Sequence, residues 1–154
     1  MVFEIEIKSK KGFLDPHGIH TVSDIEGIGI KGVKSVDYIA VYRVSGNITV
    51  KQAKIIASEL LSDKITEDFY IKEYETLEQK RIENNSIEVW FKSGVTDTVS
   101  ESVVKAIKDL GIEEDVVVKT GKKYCLKGEL NSKKLDKIAT GLLANTLIQE
   151  YLIK

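Results

Sequence analysis

Two patterns of apolar and polar side chains predict the first elements of this chain. Residues 1–8, MVFEIEIK, alternate between apolar and charged side chains, which is typical of a half-buried strand. A helical period appears later, where the 0, 3, 4, 7, 8 spacing of one helical face is occupied by Ala53, Ile56, Ala57, Leu60 and Leu61. The sequence therefore predicts a protein that contains both strands and helices.

The pattern repeats along the chain. A shift of 82 residues aligns residues 3–72 with residues 85–154 without a gap, and about 19 of the 70 aligned pairs are identical. The identities fall on turn glycines, helix starts and apolar stripes. Duplication of one unit explains such a distribution better than chance. We therefore predict a first repeat at residues 1–74, a charged linker at residues 75–84 and a second repeat at residues 85–154.

Each repeat is predicted to run strand, helix, strand, helix, strand. The first strand of each repeat ends at Gly12 or Gly94, and the later strands are predicted at residues 36–44, 69–74, 116–128 and 147–153. Thr120 and Gly121 indicate a bulge or a hairpin within residues 116–128. With two helices for three strands, one face of each sheet should be covered by helices.

Start and stop signals frame the predicted helices. Asp15 is suited to the N-cap with Pro16 at the first helical position, and Asp97 repeats the cap without the proline. Glycine tolerates the left-handed conformation that commonly ends a helix, so Gly29 and Gly111 are expected to end the first helix of each repeat. The second helices have cap signals of their own: a capping box of Thr49 and Gln52, and Asn131 or Ser132.

Charge and cysteine content narrow the class of protein. The formal net charge is −1, so the composition gives no electrostatic reason to expect nucleic acid or a membrane as partner. The single cysteine, Cys125, excludes an internal disulfide framework and favours a reducing cytosol. The alternating N-terminus lacks the continuous apolar run of a signal peptide. We expect a cytoplasmic protein.

No isolated sequence motif gives good evidence of a catalytic, cofactor or metal site. Residues 27–32, GIGIKG, fit G-x-G-x-x-G, but they are predicted to follow a helix and precede a strand, the reverse of a dinucleotide site. His17 and His20 are not matched in the second repeat and read as surface residues, while Cys125 and Trp90 read as packed strand residues. No nucleophile with a base and an orienting group is recognised. We therefore expect no catalytic residues and no cofactor or metal site in this chain.

Longer segments resemble the PurS family. Residues 11–18, KGFLDPHG, resemble the family's turn after its first strand, and residues 139–151, ATGLLANTLIQEY, resemble its helix end and final strand. Residues 93–99, SGVTDTV, look like the second-copy turn of tandem versions fused to the synthetase. The chain departs from the pattern at His17, often glutamine, and in the second copy, which lacks the proline and the following glycine.

The resemblance implies an α+β fold in which two tandem βαβαβ units form a pseudo-dimer, with helices packed on mainly antiparallel sheets. It implies a non-catalytic assembly subunit or domain of phosphoribosylformylglycinamidine synthase, in the fourth step of purine biosynthesis. The implied partners are a PurL-type synthetase, which would bind ATP and magnesium, and a PurQ-type glutaminase. The turns suggest a partner interface at Gly12, Asp15, Pro16, Gly94 and Asp97.

A second class of function stays open. Paired ACT-like regulatory modules have a glycine-containing turn after their first strand, as Gly12 and Gly94 provide here. Such a module would bind an amino acid or another small ligand. Similarity of fold alone does not decide between the two functions.

Overall fold

The computed structural model describes residues 1–74 and 85–154. These residues form six strands and four α-helices: β1 (Val2–Ser9), α1 (Pro16–Gly27), β2 (Val33–Gly46), α2 (Val50–Ile55), β3 (Glu67–Tyr74), β4 (Ser86–Phe91), α3 (Thr98–Asp109), β5 (Val116–Gly128), α4 (Ser132–Ile138) and β6 (Gln149–Ile153). The order strand, helix, strand, helix, strand thus occurs twice, as predicted. The predicted linker at residues 75–84 lies outside the described residues.

The strands form an antiparallel sheet with the order β3-β1-β2-β5-β4-β6. The two repeats pair their strands in the same register. Ile5 of β1 lies opposite Tyr42 and Ile71, and its equivalent Ile87 of β4 lies opposite Tyr124 and Ile153. The prediction of an α+β fold built from two tandem units is confirmed.

Two compact units divide the chain differently from the two repeats. The first unit contains residues 1–13, 40–74 and 96–120, and the second contains residues 14–39, 85–95 and 121–154. Each unit therefore combines segments of both repeats: α3 belongs to the first unit and α1 to the second. The division of the chain into domains at residues 1–74 and 85–154 stays a prediction.

The core of the first unit joins the strands of the first repeat to a helix of the second. Phe3, Ile5 and Ile7 alternate along β1 and are all buried. They belong to the same apolar cluster as Ala53 and Ile56 on the α2 helix. The second repeat contributes Val103, Ile107, Ile112, Val116 and Val118 to that cluster. Residues from both repeats are thus removed from water together, which is the main source of stability for such a unit.

The core of the second unit has the reciprocal composition. Ile25 of α1 is fully buried in a cluster with Ile87 and Val89 of β4. The second repeat also supplies Tyr124 and Leu126 of β5, and burial raises the pKa of the Tyr124 phenol. Ile25 and Ile107 are equivalent under the 82-residue shift. The same residue type at the same helical position therefore fills both cores.

Several predicted strands differ from the observed ones: β1 and β4 already end at Ser9 and Phe91, before Gly12 and Gly94. β2 starts at Val33 and ends at Gly46, and so is longer at both ends than the predicted 36–44. β5 is one strand from Val116 to Gly128, so the alternative of a hairpin at Thr120 and Gly121 is wrong. Capping by Thr49 and Gln52 is confirmed, as is capping by Asn131.

The second helix of each repeat ends in a wider, π-helical turn. The α2 helix continues as a π-helix over Ile56–Leu61, and α4 continues over Ala139–Leu143. The amide of Ser62 donates to the carbonyl of Ala57 at 3.1 Å, five residues back, and Ala144 donates to Ala139 at 2.9 Å. The predicted apolar face is present, but its second half follows this wider spiral.

Candidate functional site

Three of the residues predicted to lie at a partner interface are in the loop between β1 and α1 or at the first position of α1. Gly12 has a φ of 92°, a left-handed conformation that favours glycine, and it is exposed. Asp15 caps α1: one carboxylate oxygen accepts from the Gly18 amide at 3.0 Å. Its other oxygen accepts from the Tyr38 amide on β2 at 2.9 Å. Pro16 is the first residue of the helix, as predicted.

The loop between β4 and α3 contains the other two residues predicted to lie at a partner interface, Gly94 and Asp97. Gly94 has a φ of 84° and is exposed. Asp97 accepts from the Ser100 amide at 3.0 Å and so caps α3. Its second oxygen accepts from both the amide and the hydroxyl of Thr120, at 3.1 and 2.7 Å. Both aspartates therefore tie the start of a helix to a neighbouring strand, and the predicted capping role is confirmed.

One difference between the two copies, at the third residue of the helix that follows each loop, has a steric reason. A Cβ atom at Gly18 would collide with the backbone carbonyl of Val36. The equivalent Ser100 has a Cβ, and its hydroxyl donates to the equivalent carbonyl, that of Val118. The second repeat thus replaces a close backbone approach with a side-chain hydrogen bond. The absence of the glycine, noticed in the sequence, leaves the architecture of the loop intact.

An ion pair that the sequence did not indicate occurs once in each repeat. Glu6 on β1 pairs with Lys72 on β3 at 3.1 Å. Their equivalents, Glu88 and Lys154, pair at 2.8 Å. Both carboxylates lie on their strands between residues that point into a core, and both are nearly buried. In the sequence, the alternating pattern suggests that these glutamates face solvent. The lysine that pairs with each glutamate is 66 residues away along the chain, so the pattern does not indicate the ion pair.

The surroundings of Glu88 favour its charged form. Burial on its own would raise the pKa of this carboxyl. The hydrogen bond and charge of Lys154, the Trp90 indole N–H at 3.3 Å and the charge of Lys123 outweigh burial and hold the pKa below its usual range. The Glu88 carboxyl is therefore expected to stay charged to a lower pH than an ordinary glutamate.

Each repeat also presents a turn beside the loop that follows its first strand. We call Asp63–Glu67 the first tip and Asn145–Gln149 the second tip. The amide and the ammonium group of Lys10 donate to the carbonyls of Thr66 and Lys64, at 2.8 and 2.9 Å. In the second repeat the equivalent groups of Lys92 donate to Ile148 and Thr146, at 2.9 and 2.7 Å. The same backbone construction thus occurs at both tips.

The remaining candidates lie in separate places. The His17 ring contacts that of Tyr38, with 4.0 Å between centroids, and His20 is exposed. Cys125 is half-buried on β5. A Cβ at Gly121 would collide with the Trp90 ring, so this tryptophan packs on the opposing strand. The G-x-G-x-x-G segment joins the end of α1 to the start of β2, in the order predicted.

Among residues 1–74 and 85–154, no group of three or more histidine, cysteine, aspartate or glutamate side chains is arranged to hold a metal ion. No helix formed by those residues is long and apolar enough to cross a membrane.

Comparison with protein families gives a match. The family model named PurS, described as phosphoribosylformylglycinamidine (FGAM) synthase, matches residues 2–75 and again residues 84–154. Nearly the whole chain is covered, and the two matches coincide with the two copies of the 82-residue repeat. No curated protein matches the chain.

Proposed function

The chain belongs to the PurS family of FGAM synthase, an enzyme of purine biosynthesis, and from this we propose that it is the non-catalytic assembly subunit or domain of that enzyme. It would join a glutaminase to an ATP-dependent synthetase. The observation that carries the proposal is the double match of the family model, over residues 2–75 and 84–154. A family unit present twice in one chain suits a part that holds other subunits together.

The partners follow from the proposed role. We propose a PurL-type synthetase, which would bind ATP and magnesium, and a PurQ-type glutaminase, which would release ammonia from glutamine. The chain itself would bind neither cofactor. Its single cysteine and mixed charge suit a complex in the reducing cytoplasm.

The hydrogen bonds of Asp15 and Asp97 support a structural contribution from these residues. Each carboxylate uses both oxygens for contacts within its own compact unit. A general acid or base must instead direct an oxygen at its substrate. We propose that the two aspartates set the shape of the loops, and that partners contact the exposed residues beside each of them: Gly12 and Pro16 beside Asp15, and Gly94 beside Asp97.

Covalent linkage gives the proposed assembly part an advantage. Two family units on one chain are always present together, so their association does not depend on protein concentration. Ammonia released by the glutaminase must reach the synthetase before it escapes into water. Docking should therefore affect the transfer of ammonia more than the chemistry at either end.

A reconstitution experiment tests the proposal. Synthetase and glutaminase are mixed with and without the chain, and FGAM formation is measured with glutamine or with ammonium chloride as nitrogen source. We expect the glutamine-dependent rate to fall at least tenfold without the chain and the ammonium-dependent rate to persist. The ammonium reaction is the matched control, because it requires synthetase chemistry but no transfer from the glutaminase.

Equal glutamine-dependent rates in the two mixtures would contradict the assembly role. The alternative, an ACT-like module, predicts binding of an amino acid by the isolated chain. Calorimetric titration with amino acids and purine nucleotides measures that binding directly.

A further inference from the structure

The last strand of the second repeat, β6, is an end strand of the described sheet. Its pairing with β4 shows which of its backbone groups face outward. Ser86 and Lys154 exchange both of their backbone hydrogen bonds, at 3.1 and 2.9 Å. In an antiparallel ladder such pairs alternate with pairs whose amides and carbonyls point away from each other. The amides and carbonyls of Tyr151 and Ile153 therefore point out of the sheet. We call this row of groups the β6 edge.

The side chains along the β6 edge suit contact with another strand. Leu152 and Ile153 are apolar and 39% and 36% exposed. Glu150 is exposed, and the ion pairs of the described residues do not include it. Its equivalent in the first repeat, Asp68, lies 4.0 Å from the ammonium group of Lys10. The carboxylate of Glu150 is therefore available to a cation from outside the described residues.

Two copies of β6 can pair antiparallel in a register that matches their charges. Only residues with outward backbone groups can exchange hydrogen bonds across the edge. When the pair is centred on Leu152, Tyr151 of each copy lies opposite Ile153 of the other, and both of these pairs can exchange backbone hydrogen bonds. The same register places Glu150 of each copy opposite Lys154 of the other. A register centred on Tyr151 would instead place Glu150 opposite Leu152.

The ammonium group of Lys154 can make this additional contact. It donates to Glu88 at 2.8 Å, which uses one of its three N–H groups. The side chain of Lys154 is 19% exposed, so it is within reach of a neighbouring strand. Opposite charges that face each other across two strands stabilise the pairing, and this register contains such a pair twice.

The apolar residues match in the same register. Tyr151 would face Ile153, and an aromatic residue opposite a β-branched one is a favourable cross-strand pair. On the other face of the strand, Leu152 would face its own copy. A two-fold axis through this point relates the two chains, so the interface is closed and pairs each β6 edge once.

The equivalent edge of β3 is less suited to pairing with itself. It also exposes a large side chain, Tyr70, which is 55% exposed. In the equivalent register, centred on Tyr70, Glu67 of each copy would lie opposite Glu73 of the other. Like charges directly opposite each other destabilise a strand pair, and charges on an edge strand commonly prevent pairing. β6 has the uncharged Gln149 at the position of Glu67.

We propose that β6 pairs antiparallel with β6 of a second copy of this chain, centred on Leu152, so that two chains share one continuous sheet. A second copy is the occupant because the charges of β6 complement the same strand in the opposite direction. The interface involves a few residues of one strand, so we expect a reversible dimer that forms between about 10 and 500 µM. Such a dimer needs no other subunit and does not depend on the proposed function.

A charge reversal in each repeat provides a matched test. Sedimentation equilibrium of the full-length chain over the same concentrations measures the dimer. Glu150→Lys places a lysine opposite Lys154, and we expect it to weaken self-association by at least about tenfold. Asp68→Lys makes the equivalent change in β3. We expect it to stay within about twofold of the unmodified protein, because β3 takes no part in the interface.

A second variant tests the backbone of the β6 edge. Ile153→Pro removes an outward amide and leaves the ladder with β4 intact, since proline is tolerated on an edge strand where the amide faces solvent. We expect it to weaken self-association by at least about 30-fold, because two backbone hydrogen bonds are lost in each dimer. Thermal unfolding checks that the variant is folded. Glu150→Lys alters an exposed side chain and decides the question if the proline variant does not fold.

Several results would overturn the proposal. A chain that stays monomeric at every concentration would exclude the dimer, and a dimer that both β6 variants leave unchanged would exclude the β6 edge. An equal loss for Asp68→Lys would assign the contact to β3 of one copy and β6 of another, because Asp68 would then lie opposite Lys154. A monomer whose binding to the synthetase is lost in Glu150→Lys would assign the edge to that protein. Reconstitution with the synthetase and the glutaminase tests the proposed function separately.

Discussion

The first and second repeats keep the same internal contacts and differ at their surfaces. Each has an aspartate that caps a helix and accepts from a strand, and each has a glutamate that pairs with a lysine 66 residues away. The tips, in contrast, have exchanged charged residues for uncharged ones. Contacts that shape the backbone have thus been retained in both copies, whereas charges at the tips have not. The ion pair of Lys64 and Glu59 in the first repeat is lost in the second, where the equivalent residues are uncharged. The tips are therefore the regions in which the two copies can have separate roles.

Separating the repeats should have the largest effect on stability. We expect residues 1–74 and 85–154, expressed as separate chains, to lack cooperative thermal unfolding, because each core cluster takes residues from both. The lost burial should exceed the ~5–15 kcal/mol that stabilises a typical domain. Calorimetry of each half and of their mixture tests this. The mixture should recover a cooperative transition. A half that unfolds cooperatively alone would show that one repeat is a sufficient folding unit.

Substitution at the equivalent core positions should have the next largest effect. Ile25→Ala and Ile107→Ala each remove a fully buried side chain that lies on a helix of one repeat and packs against strands of the other. We expect each to lower the free energy of unfolding by about 2–5 kcal/mol. Urea denaturation provides the measurement. Val99→Ala, at a half-exposed position on α3, serves as control and should change the value by about 0.5 kcal/mol or less.

Removing a helix cap should lower the free energy of unfolding by a smaller amount, and the amount should differ between the two repeats. Asp15→Ala and Asp97→Ala should each lower stability by about 0.5–2 kcal/mol through loss of the cap. The Asp97 variant should be the more damaging, because it also loses the bond from the Thr120 hydroxyl. Thr120→Val removes that bond alone and should account for the difference. Unchanged urea midpoints in both aspartate variants would contradict the capping role.

The smallest of the expected changes in stability is the one caused by removing the ion pair of the second repeat. Glu88→Gln keeps an acceptor for Lys154 and Trp90 and loses the charge, so we expect a loss of about 1 kcal/mol at pH 7. The folded-state pKa of Glu88 lies below its ordinary value. Its stabilising contribution is therefore present above the ordinary pKa of about 4.3 and is lost as pH falls through the folded value.

The difference in stability between Glu88→Gln and the unmodified protein should accordingly narrow below about pH 4. Thermal unfolding from pH 7 to pH 2 measures it. Glu101→Gln changes the net charge equally at an exposed position and provides the control. A difference that stays constant over the whole range would show that the charge of Glu88 does not contribute.

Sequence reasoning succeeded where the signal was local. Asp15, Asp97 and Thr49 cap helices because each acts on amides three residues away, within reach of a sequence window. The division into compact units could not be predicted in the same way. Ile25 and Ile107 are identical and equivalently placed, so the sequence does not indicate on which copy's strands each helix packs. The choice depends on tertiary packing.

The candidate site was predictable in part. The loops that contain Gly12 and Gly94 were recognised from the repeat and from the family resemblance. The difference in charge between the tips could also be predicted, because an alignment of the two copies shows it. The exposure of Leu147 could be seen only in the structure. The pair of Glu88 and Lys154 required the register of β4 with β6, which cannot be read from one sequence.

The combination of both repeats in each compact unit also affects how the chain folds during synthesis. The first unit contains residues up to 120, and the second contains residues up to 154. A ribosome has therefore made three quarters of the chain before the first core can close, and translation at about 5–20 residues per second leaves the apolar face of β1 uncovered for several seconds. Nascent chains in this interval are the form of the protein most exposed to aggregation and to chaperones.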